Sequence, residues 1–470
     1  MIHKLILYWQ VIGRLLYPSY NSVSCLGIWV RGGDLLKSVN TLGFALSAFA
    51  RPYFGRERIE AYQLRKLKSL LLHAAANIPY YRELFSEHGI EPTDVRHLSD
   101  LGRIPVTGKQ QLRTLYRSLL KKGIDSNKLI EHKTSGSTGI PSHILRSPQE
   151  ERKLNLLRWR MLWMQGLRPG WRVAKVKTTW EPLSGRFNRL QNLARCARLL
   201  DSRVFDCFLE PAENARELAR FQPHILSGYP GALVKIALQH SQQGGELRGL
   251  RGVFCGGESL APHQRRILEE CFGAPVHDTY GTTECNLAAW ACPQTGLYHV
   301  CDDGIVLEIC RDGIQVPPGQ SGEVVITSLH SLTMPVIRHA LGDTAVAGPS
   351  PCPCGSPFST IQDLQGRIID FLTLPDGREL HPFELLNEIV LGASDWISEY
   401  QLIQEETDRF RLLIVPRRLV GSDELARLHT IFLEKVGAGA HLQIEWVEQI
   451  PSDATGKFHF CRSLVEVRNN

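Results

Sequence analysis

Thr134-Ser135-Gly136-Ser137-Thr138-Gly139-Ile140-Pro141 is the stretch on which the reading of this chain turns. Hydroxyls and glycines alternate there with almost no bulk. Glycine lets a backbone turn sharply and approach a ligand closely. Successive backbone N–H groups, helped by Thr and Ser hydroxyls, can then wrap the oxygens of a polyphosphate. The stretch is not a Walker-type loop, which needs Gly, four residues and then Gly-Lys-Ser/Thr; here Ile140-Pro141 follows Gly139. Taken alone, a Ser/Thr/Gly run also describes a surface turn. Four further motifs nearer the C-terminus give it meaning.

In chain order these are Asp278-Thr279-Tyr280-Gly281-Thr282-Thr283-Glu284, then Arg338-His339-Ala340-Leu341-Gly342-Asp343, then Gly366-Arg367-Ile368-Ile369-Asp370, and finally Ala454-Thr455-Gly456-Lys457. This ordered set resembles the adenylate-forming superfamily: acyl-CoA synthetases, luciferases and peptide-synthetase adenylation domains. Within it the chain is most similar to the phenylacetate-CoA ligase branch, especially its capsule-biosynthesis-like members. Ile78-Pro79-Tyr80-Tyr81-Arg82-Glu83-Leu84-Phe85 and Ile104-Pro105-Val106-Thr107-Gly108-Lys109 look like that branch's N-terminal segment. The resemblance runs from about residue 60 to 465.

The resemblance implies ATP, Mg²⁺ and coenzyme A as cofactors, and a small-molecule carboxylate as substrate. Joining a carboxylate to the α-phosphate of ATP sets two anions against each other, so it needs cations, N–H donors and a metal. By resemblance, Thr134, Ser135, Gly136, Ser137, Thr138 and Gly139 hold the β- and γ-phosphates. Thr283 touches the α-phosphate, and Glu284 helps to hold Mg²⁺, which often binds through one carboxylate plus phosphates. A helix-start carboxylate is the plainer reading of Glu284. Gly257 and Glu258 belong to a turn that packs on adenine in the family. They also fit a plain strand-to-helix turn. Tyr280, Gly281 and Thr282 lead into the same nucleotide site. Asp343 sits in a Gly-Asp turn and has the acceptor pair needed to grip both ribose hydroxyls, and Arg367 resembles the second ribose or phosphate contact. Lys457 resembles the lysine that enters the site on lid closure and bridges carboxylate and phosphate oxygens. A mobile point charge suits that task. Two positions depart from the pattern: Ile140 stands where many members carry Lys, and Ile369 precedes Asp370 where the family commonly has Asp, which leaves the hinge residue unassigned.

A second metal is suggested by Cys352-Pro353-Cys354 and by Cys292 and His299 upstream, since three Cys and one His make a closed tetrahedral zinc set. Cys301 competes as a ligand, and unconnected reduced thiols are the plainer reading. Similar sets in this branch imply a structural Zn²⁺ rather than a catalytic one.

Bulk properties agree with an ordinary globular enzyme. The chain has 470 residues, 43% hydrophobic and 22% charged, with a formal charge of +6 and 12 scattered cysteines. That length suits two or three domains, and the mild basicity suits an anionic substrate. No basic block with interleaved aromatics points to nucleic acid. Nothing resembles a secreted disulfide framework, so a cytoplasmic location is expected. The apolar run at 2–17 is broken by Lys4, Gln10 and Arg14 and is too short to span a bilayer. An interfacial helix or a helix packed on the protein's own core both fit it.

Periodicity predicts helices over 58–88, interrupted at Pro79, and over 150–166. From Val173 to Cys255 short apolar runs alternate with helical stretches, which implies βα units and a largely parallel sheet. Ile305–Ile309 and Gly322–Thr327 alternate as strands of a small β-subdomain. After Arg367 the pattern is βαβ-like, with helices at Glu384–Val390 and Asp423–Val436 and strands at Tyr400–Gln404 and Phe410–Val415. The expected fold is α/β. A helical extension covers 1–57. A large N-terminal adenylate-forming domain of βα units with a small β-subdomain covers 58–366, and a small α+β C-terminal lid domain covers 367–470.

The expected function is an ATP-dependent carboxylate ligase that makes an acyl-adenylate and then a thioester with coenzyme A. Transfer to an amine or to a carrier protein acting in trans is the alternative within the family. A non-catalytic nucleotide-binding relative in a polysaccharide pathway is the alternative outside it. The acid and the oligomeric state are not legible.

Overall fold

The computed structural model describes residues 41, 43–108, 111–112, 118–120, 123–133, 143–168, 170–177, 201–207, 209–367, 372–380, 385, 389, 396–450 and 461–465. The phosphate-loop candidate 134–141, the N-terminal run at 2–17, the hinge candidates 369–370 and Lys457 lie outside these residues. So does most of the helix expected at 384–390, of which only Leu385 and Ile389 are described, both buried.

The expected first helix forms as two. Helix α1 spans Arg56–Asn77 and buries Ile59, Tyr62, Leu67, Leu70, Leu71 and Ala74, a stripe at helical spacing. It stops because Ile78 precedes a proline and takes an extended conformation (φ −113°, ψ 113°). Pro79 then opens α2, Pro79–Glu87, where its missing N–H costs nothing. Helix α3, Pro148–Met164, starts from a capping box. Ser147 N donates to Glu150 Oε2 at 2.7 Å, and Glu150 N donates to Ser147 Oγ at 3.3 Å. The other oxygen of Glu150 accepts from Leu332 N and Thr333 N (2.5 and 2.7 Å), so one carboxylate caps the helix and pins a distant turn.

The βα alternation appears as expected. Strands β1 (Ile130–Lys133) and β2 (His143–Arg146) pair antiparallel. Then come β3 (Arg172–Lys177), β4 (Asp201–Asp206), α4 (Pro211–Phe221), β5 (Ile225–Gly228), α5 (Pro230–Gln242), β6 (Gly252–Gly256), α6 (Pro262–Phe272) and β7 (Val276–Tyr280). β4, β3, β5, β6 and β7 pair in parallel in that order.

The expected small β-subdomain is not a separate sheet. Strands β8 (Ala289–Ala291) and β9 (Tyr298–Val300) form a hairpin whose first strand pairs β7 and whose second pairs β14 (Thr360–Arg367). β14 continues through β13 (His339–Ala347), β12 (Ser321–Ser328), β10 (Ile305–Arg311) and the short edge strand β11 (Ile314–Gln315). Parallel and antiparallel halves thus make one twelve-stranded sheet. The physical reason is the β8–β9 hairpin, which leaves neither half with an open edge at the seam.

Two buried charge clusters hold this sheet to the helices. Asp303, fully buried, accepts from Arg51 Nε at 2.6 Å and from Arg160 Nη1 of α3. Burial would raise its carboxyl, but the two guanidiniums outweigh that and hold it down at about 2. Its neighbour Asp302 pairs with Arg56 and accepts from Ser359 N and Oγ at 2.7 and 2.6 Å. On the other flank, buried Arg338 spends its donors on Glu308, Gly102 O, Ile104 O and Gly313 O, at 2.6 to 3.1 Å. It does so from a left-handed backbone (φ 45°).

The C-terminal part holds a two-stranded and a four-stranded sheet. Strands β15 (Leu372–Thr373) and β16 (Glu379–Leu380) form a hairpin. β17 (Ile397–Gln404) and β18 (Arg409–Pro416) then pair antiparallel. β19 (His441–Trp446) joins β18 in parallel through the intervening helix α7 (Ser422–Val436), and β20 (Cys461–Ser463) joins β17. Their core gathers Trp396, Tyr400, Leu402, Phe410, Leu412, Leu428 and Phe432. The helix and two long strands match expectation, whereas β19 and β20 were not anticipated. β19 buries no residue fully, so apolar patterning gives it little signal.

Removing Asp303 strands two buried guanidiniums. Asp303→Ala is therefore expected to lower stability by about 3–5 kcal/mol, the usual cost of breaking a buried pair. Urea unfolding followed by circular dichroism checks this; a loss below about 1 kcal/mol would mean water replaces the carboxylate.

Candidate active site

In an open parallel sheet, ligands bind outside the carboxyl ends of the strands. Here β5, β6 and β7 end together at Gly228, Gly256 and Tyr280. Each end is closely packed. Gly257 adopts φ 82°, and a Cβ there would lie 2.8 Å from the Tyr229 ring. A Cβ on Gly281 would lie 2.7 Å from Asn286 O. Only glycine fits both turns.

The segment after β7 is a tight turn, not a helix start. Asn286 N and Cys285 N donate to Thr282 O at 2.7 and 3.3 Å. Arg146, at the end of β2, donates through Nη2 to Thr283 O. That guanidinium also reaches Glu151 Oε2 at 3.2 Å, where His132 Nε2 meets the same oxygen at 3.0 Å. Asn155 Nδ2 donates to Glu151 Oε1 at 3.1 Å. Glu151 thus ties the β1–β2 hairpin, α3 and the Thr283 turn together. Burial would raise its carboxyl, but the partners His132 and Arg146 outweigh it and pull it to about 2. Sequence reasoning did not single out Arg146, Glu151 or His132.

Glu284 follows in the same turn and is buried at 6% exposure. No described residue donates a hydrogen bond to its carboxylate. A buried acid left without donors among the described residues has the chemistry of an oxygen ligand for Mg²⁺.

Asp343 is brought to this turn by the antiparallel half of the sheet. Tyr280 Oη donates to Asp343 Oδ2 at 2.5 Å, and burial beside that carboxylate drives the tyrosine far above its ordinary range. The expected Gly-Asp turn is instead a kinked strand, with Gly342 at φ 71° inside β13. Asp343 and Arg367 are cross-strand partners at the start of the β13–β14 pairing. Glu258 Oε2 accepts from Gly231 N, at the start of α5, at 3.2 Å. It therefore sits at the N-terminus of α5, where a carboxylate is favoured. Tyr280, Gly281, Thr282, Thr283, Glu284 and Asp343 thus share one place. Thr134–Gly139 and Lys457 lie outside the described residues, as does the side chain of Arg367.

Cys292, His299, Cys352 and Cys354 converge, with ligand atoms all within 4.8 Å of one another. Cys354 Sγ lies 3.3 Å from His299 Nε2. Burial lowers the His299 pKa to about 4, so its ring is neutral, the form that binds a metal. Cys292 follows β8, His299 is on β9, and the two other cysteines sit in the β13–β14 loop. The donor set and spacing fit tetrahedral zinc. Cys301 does not join it: its thiol faces Arg160 and Asp303. No disulfide joins two of the ten described cysteines, and no helix among the described residues is long and apolar enough to cross a membrane.

Comparison with known proteins agrees with this architecture. A model of the AMP-binding enzymes matches residues 198–334, and one of the CapK C-terminal domain matches 372–463. Phenylacetate-coenzyme A ligase of Escherichia coli is 28% identical over 345 residues, 71% of this chain and 76% of that one. Its counterpart from Thermus thermophilus is 25% identical over 356 residues, 74% and 78% respectively. Protein CapK of Staphylococcus aureus is 21% identical over 443 residues, 91% and 96% of the two chains. Among solved structures, 2-hydroxyisobutyryl-CoA ligase in the postadenylation state superposes with TM-score 0.73 at 22% identity, covering 88% of this chain and 91% of that one. The AMP-binding match, the ligase relatives and the shared fold together indicate an adenylate-forming enzyme, an AMP-forming ligase of carboxylic acids. Within that class the chain is similar to the phenylacetate-coenzyme A ligases and to CapK.

The Glu151 network gives a pH signature. Its pKa falls from 4.5 to about 2, so the network's stabilisation is fully present above about pH 4.5 and disappears as the pH falls towards 2. Glu151→Gln is expected to flatten that part of the acid-unfolding curve, read by circular dichroism. An unchanged acid limb would show that the three donors do not act on Glu151 in solution.

Proposed function

We propose that this chain activates a small carboxylic acid by attack on the α-phosphate of ATP, releasing pyrophosphate, and passes the acyl group from the adenylate to coenzyme A. The observation that carries the reading is the Tyr280–Asp343 bond, which joins the Thr283–Glu284 turn to the β13–β14 pair. It sets a candidate phosphate and metal site beside a candidate ribose acceptor.

In this reading Asp343 accepts the ribose hydroxyls, with Arg367 beside it on β14. The 134–139 loop cradles the β- and γ-phosphates, and Thr283 contacts the α-phosphate. Glu284 is the ligand for Mg²⁺, which neutralises phosphate charge when bound. Arg146 keeps the Thr283 turn in place through its carbonyl. The C-terminal part from 367 acts as a lid that brings Lys457 to the reacting oxygens. No Walker lysine is present for γ-phosphoryl transfer, so AMP is the expected nucleotide product.

Pyrophosphate exchange into ATP, dependent on a carboxylate and Mg²⁺, tests the reading. Lys457→Ala is expected to cut exchange by on the order of 10²-fold, a typical loss for one electrostatic catalyst. Thioester formation from pre-made adenylate is expected to suffer much less. Equal losses in both half-reactions would remove Lys457 from the role, and ADP with an acyl-phosphate as products would overturn the adenylation reading. AMP without a thioester would redirect the acyl group to an amine or a carrier protein.

We also propose that Cys292, His299, Cys352 and Cys354 hold one structural Zn²⁺ that fastens the β13–β14 loop to the β8–β9 hairpin. Protein purified without chelators is expected to contain about one zinc per chain. Cys354→Ser is expected to lose it and to melt at a lower temperature. Elemental analysis that finds no zinc in the unmodified protein would reject the site.

A further inference from the structure

One group of cations beside the candidate site has no assigned task. Lys175 lies in β3 opposite Ser227 of β5. Its neighbours Ala174 and Val176 face one core layer, whereas Val173, two residues back, packs with Leu157 and Met161 of α3. Strand periodicity therefore puts Lys175 under α3. There its Nζ lies 5.9 Å from the centroid of the Trp159 ring. Arg158, the preceding residue of α3, is solvent-accessible and donates through Nη1 to Asn286 Oδ1 at 3.3 Å. Asn286 is two residues beyond Glu284, in a left-handed conformation (φ 69°), and donates to Asn155 Oδ1 at 3.0 Å. Arg158 thereby reaches the Thr283–Glu284 turn.

Among the described residues, no carboxylate pairs with Lys175, Arg158 or Lys177. The neighbouring buried cations differ: Arg146 meets Glu151, Arg160 meets Asp303 and Lys235 meets Glu399. Burial lowers the Lys175 pKa to about 8, and Arg158 and Lys177 push it the same way. Cations that repel one another, with one of them over an indole and no counter-charge among those residues, form a destabilising arrangement that an anion relieves.

Resting on the adenylation reading, we infer that the acid this enzyme activates carries a second anionic group, remote from the reacting carboxyl, seated between Lys175 and Arg158 with its carbon body against Trp159. The substrate class is thus an aryl or alkyl acid bearing a further carboxylate, sulfonate or phosphate, in place of a plain arylacetate. Coenzyme A carries phosphates of the same chemistry. It takes no part in the first half-reaction, so a test without coenzyme A separates the two sources.

The test is pyrophosphate exchange with matched acids: phenylacetate against 4-carboxyphenylacetate and 4-sulfophenylacetate, and hexanoate against adipate. The unmodified enzyme is expected to favour the dianions in kcat/KM by roughly tenfold or more, as a site with an unmatched charge discriminates against ligands that leave it unpaired. Lys175→Met and Arg158→Gln are each expected to erase the preference by raising KM for the dianion. Lys175→Arg is expected to retain it. Melting temperatures of the variants are expected not to fall, because each change removes a cation that lacks a counter-charge. Equal or better exchange with the monoacids would overturn the inference and leave adenylation standing. So would variants that alter only KM for coenzyme A in the complete reaction. Exchange with no acid at all would sink the adenylation reading, and this inference with it.

Discussion

Asp302 and Asp303 sit in the short link between β9 and β10, close to the place where the parallel half of the large sheet gives way to the antiparallel half. Their carboxylates hold Arg51 and Arg56 from the N-terminal segment and Arg160 from the middle of α3. Three stretches separated by up to 252 residues are thereby fixed to one point. A buried pair of this kind adds little net stability compared with well-packed apolar groups, yet it tolerates no substitute partner. Its worth lies in register: α3 cannot slide along the sheet without stranding Arg160. That matters because α3 also carries Glu151, which fixes the Thr283 turn through Arg146. The candidate site thus inherits its geometry from an ion cluster in the link before β10.

The same logic runs through the polar interior. Glu150 caps α3 with one oxygen and holds the 332–333 backbone with the other. Arg338 closes off three carbonyls from two segments. Buried donors and acceptors here are spent on backbone groups of neighbouring segments, where each bond is costly to leave unmade. The apolar clusters provide the bulk of the stabilisation, and these contacts choose the arrangement.

Local order was legible where chemistry and periodicity coincide. Pro79 divides the first helix as its geometry demands, and the run from Val173 to Tyr280 reads as βα units because buried parallel strands are apolar and short. Cys292, His299, Cys352 and Cys354 were legible as a set because few other roles gather thiols and an imidazole at such spacing. Asp343 misled: Gly342-Asp343 looks like a turn, and only the partner strand shows that the glycine's left-handed conformation bends a strand. Arg146, Glu151, Lys175 and Arg158 gave no local sign at all. Each is an ordinary charged residue in an ordinary helix or strand, and its significance arises from the turn or strand it meets in the folded chain. For the same reason the continuity of the twelve-stranded sheet was invisible, since it depends on the return of β14 to β9 across an intervening set of hairpins.

Helix α5 is gripped at two places one turn apart. Its first turn is held by Glu258, in the loop that follows β6. One turn later, Lys235 pairs with Glu399 of the C-terminal sheet at 3.3 Å and donates to Ile450 O at 3.1 Å. Four helical residues span about 6 Å and do not stretch. The helix therefore works as a short lever: a pull on the C-terminal sheet reaches the loop against the Tyr229 ring as a displacement rather than being absorbed. Any chimaera that joins this large sheet to the C-terminal sheet of a relative inherits that coupling only if an acid stands where Glu399 does, and without one leaves a half-buried ammonium facing the graft.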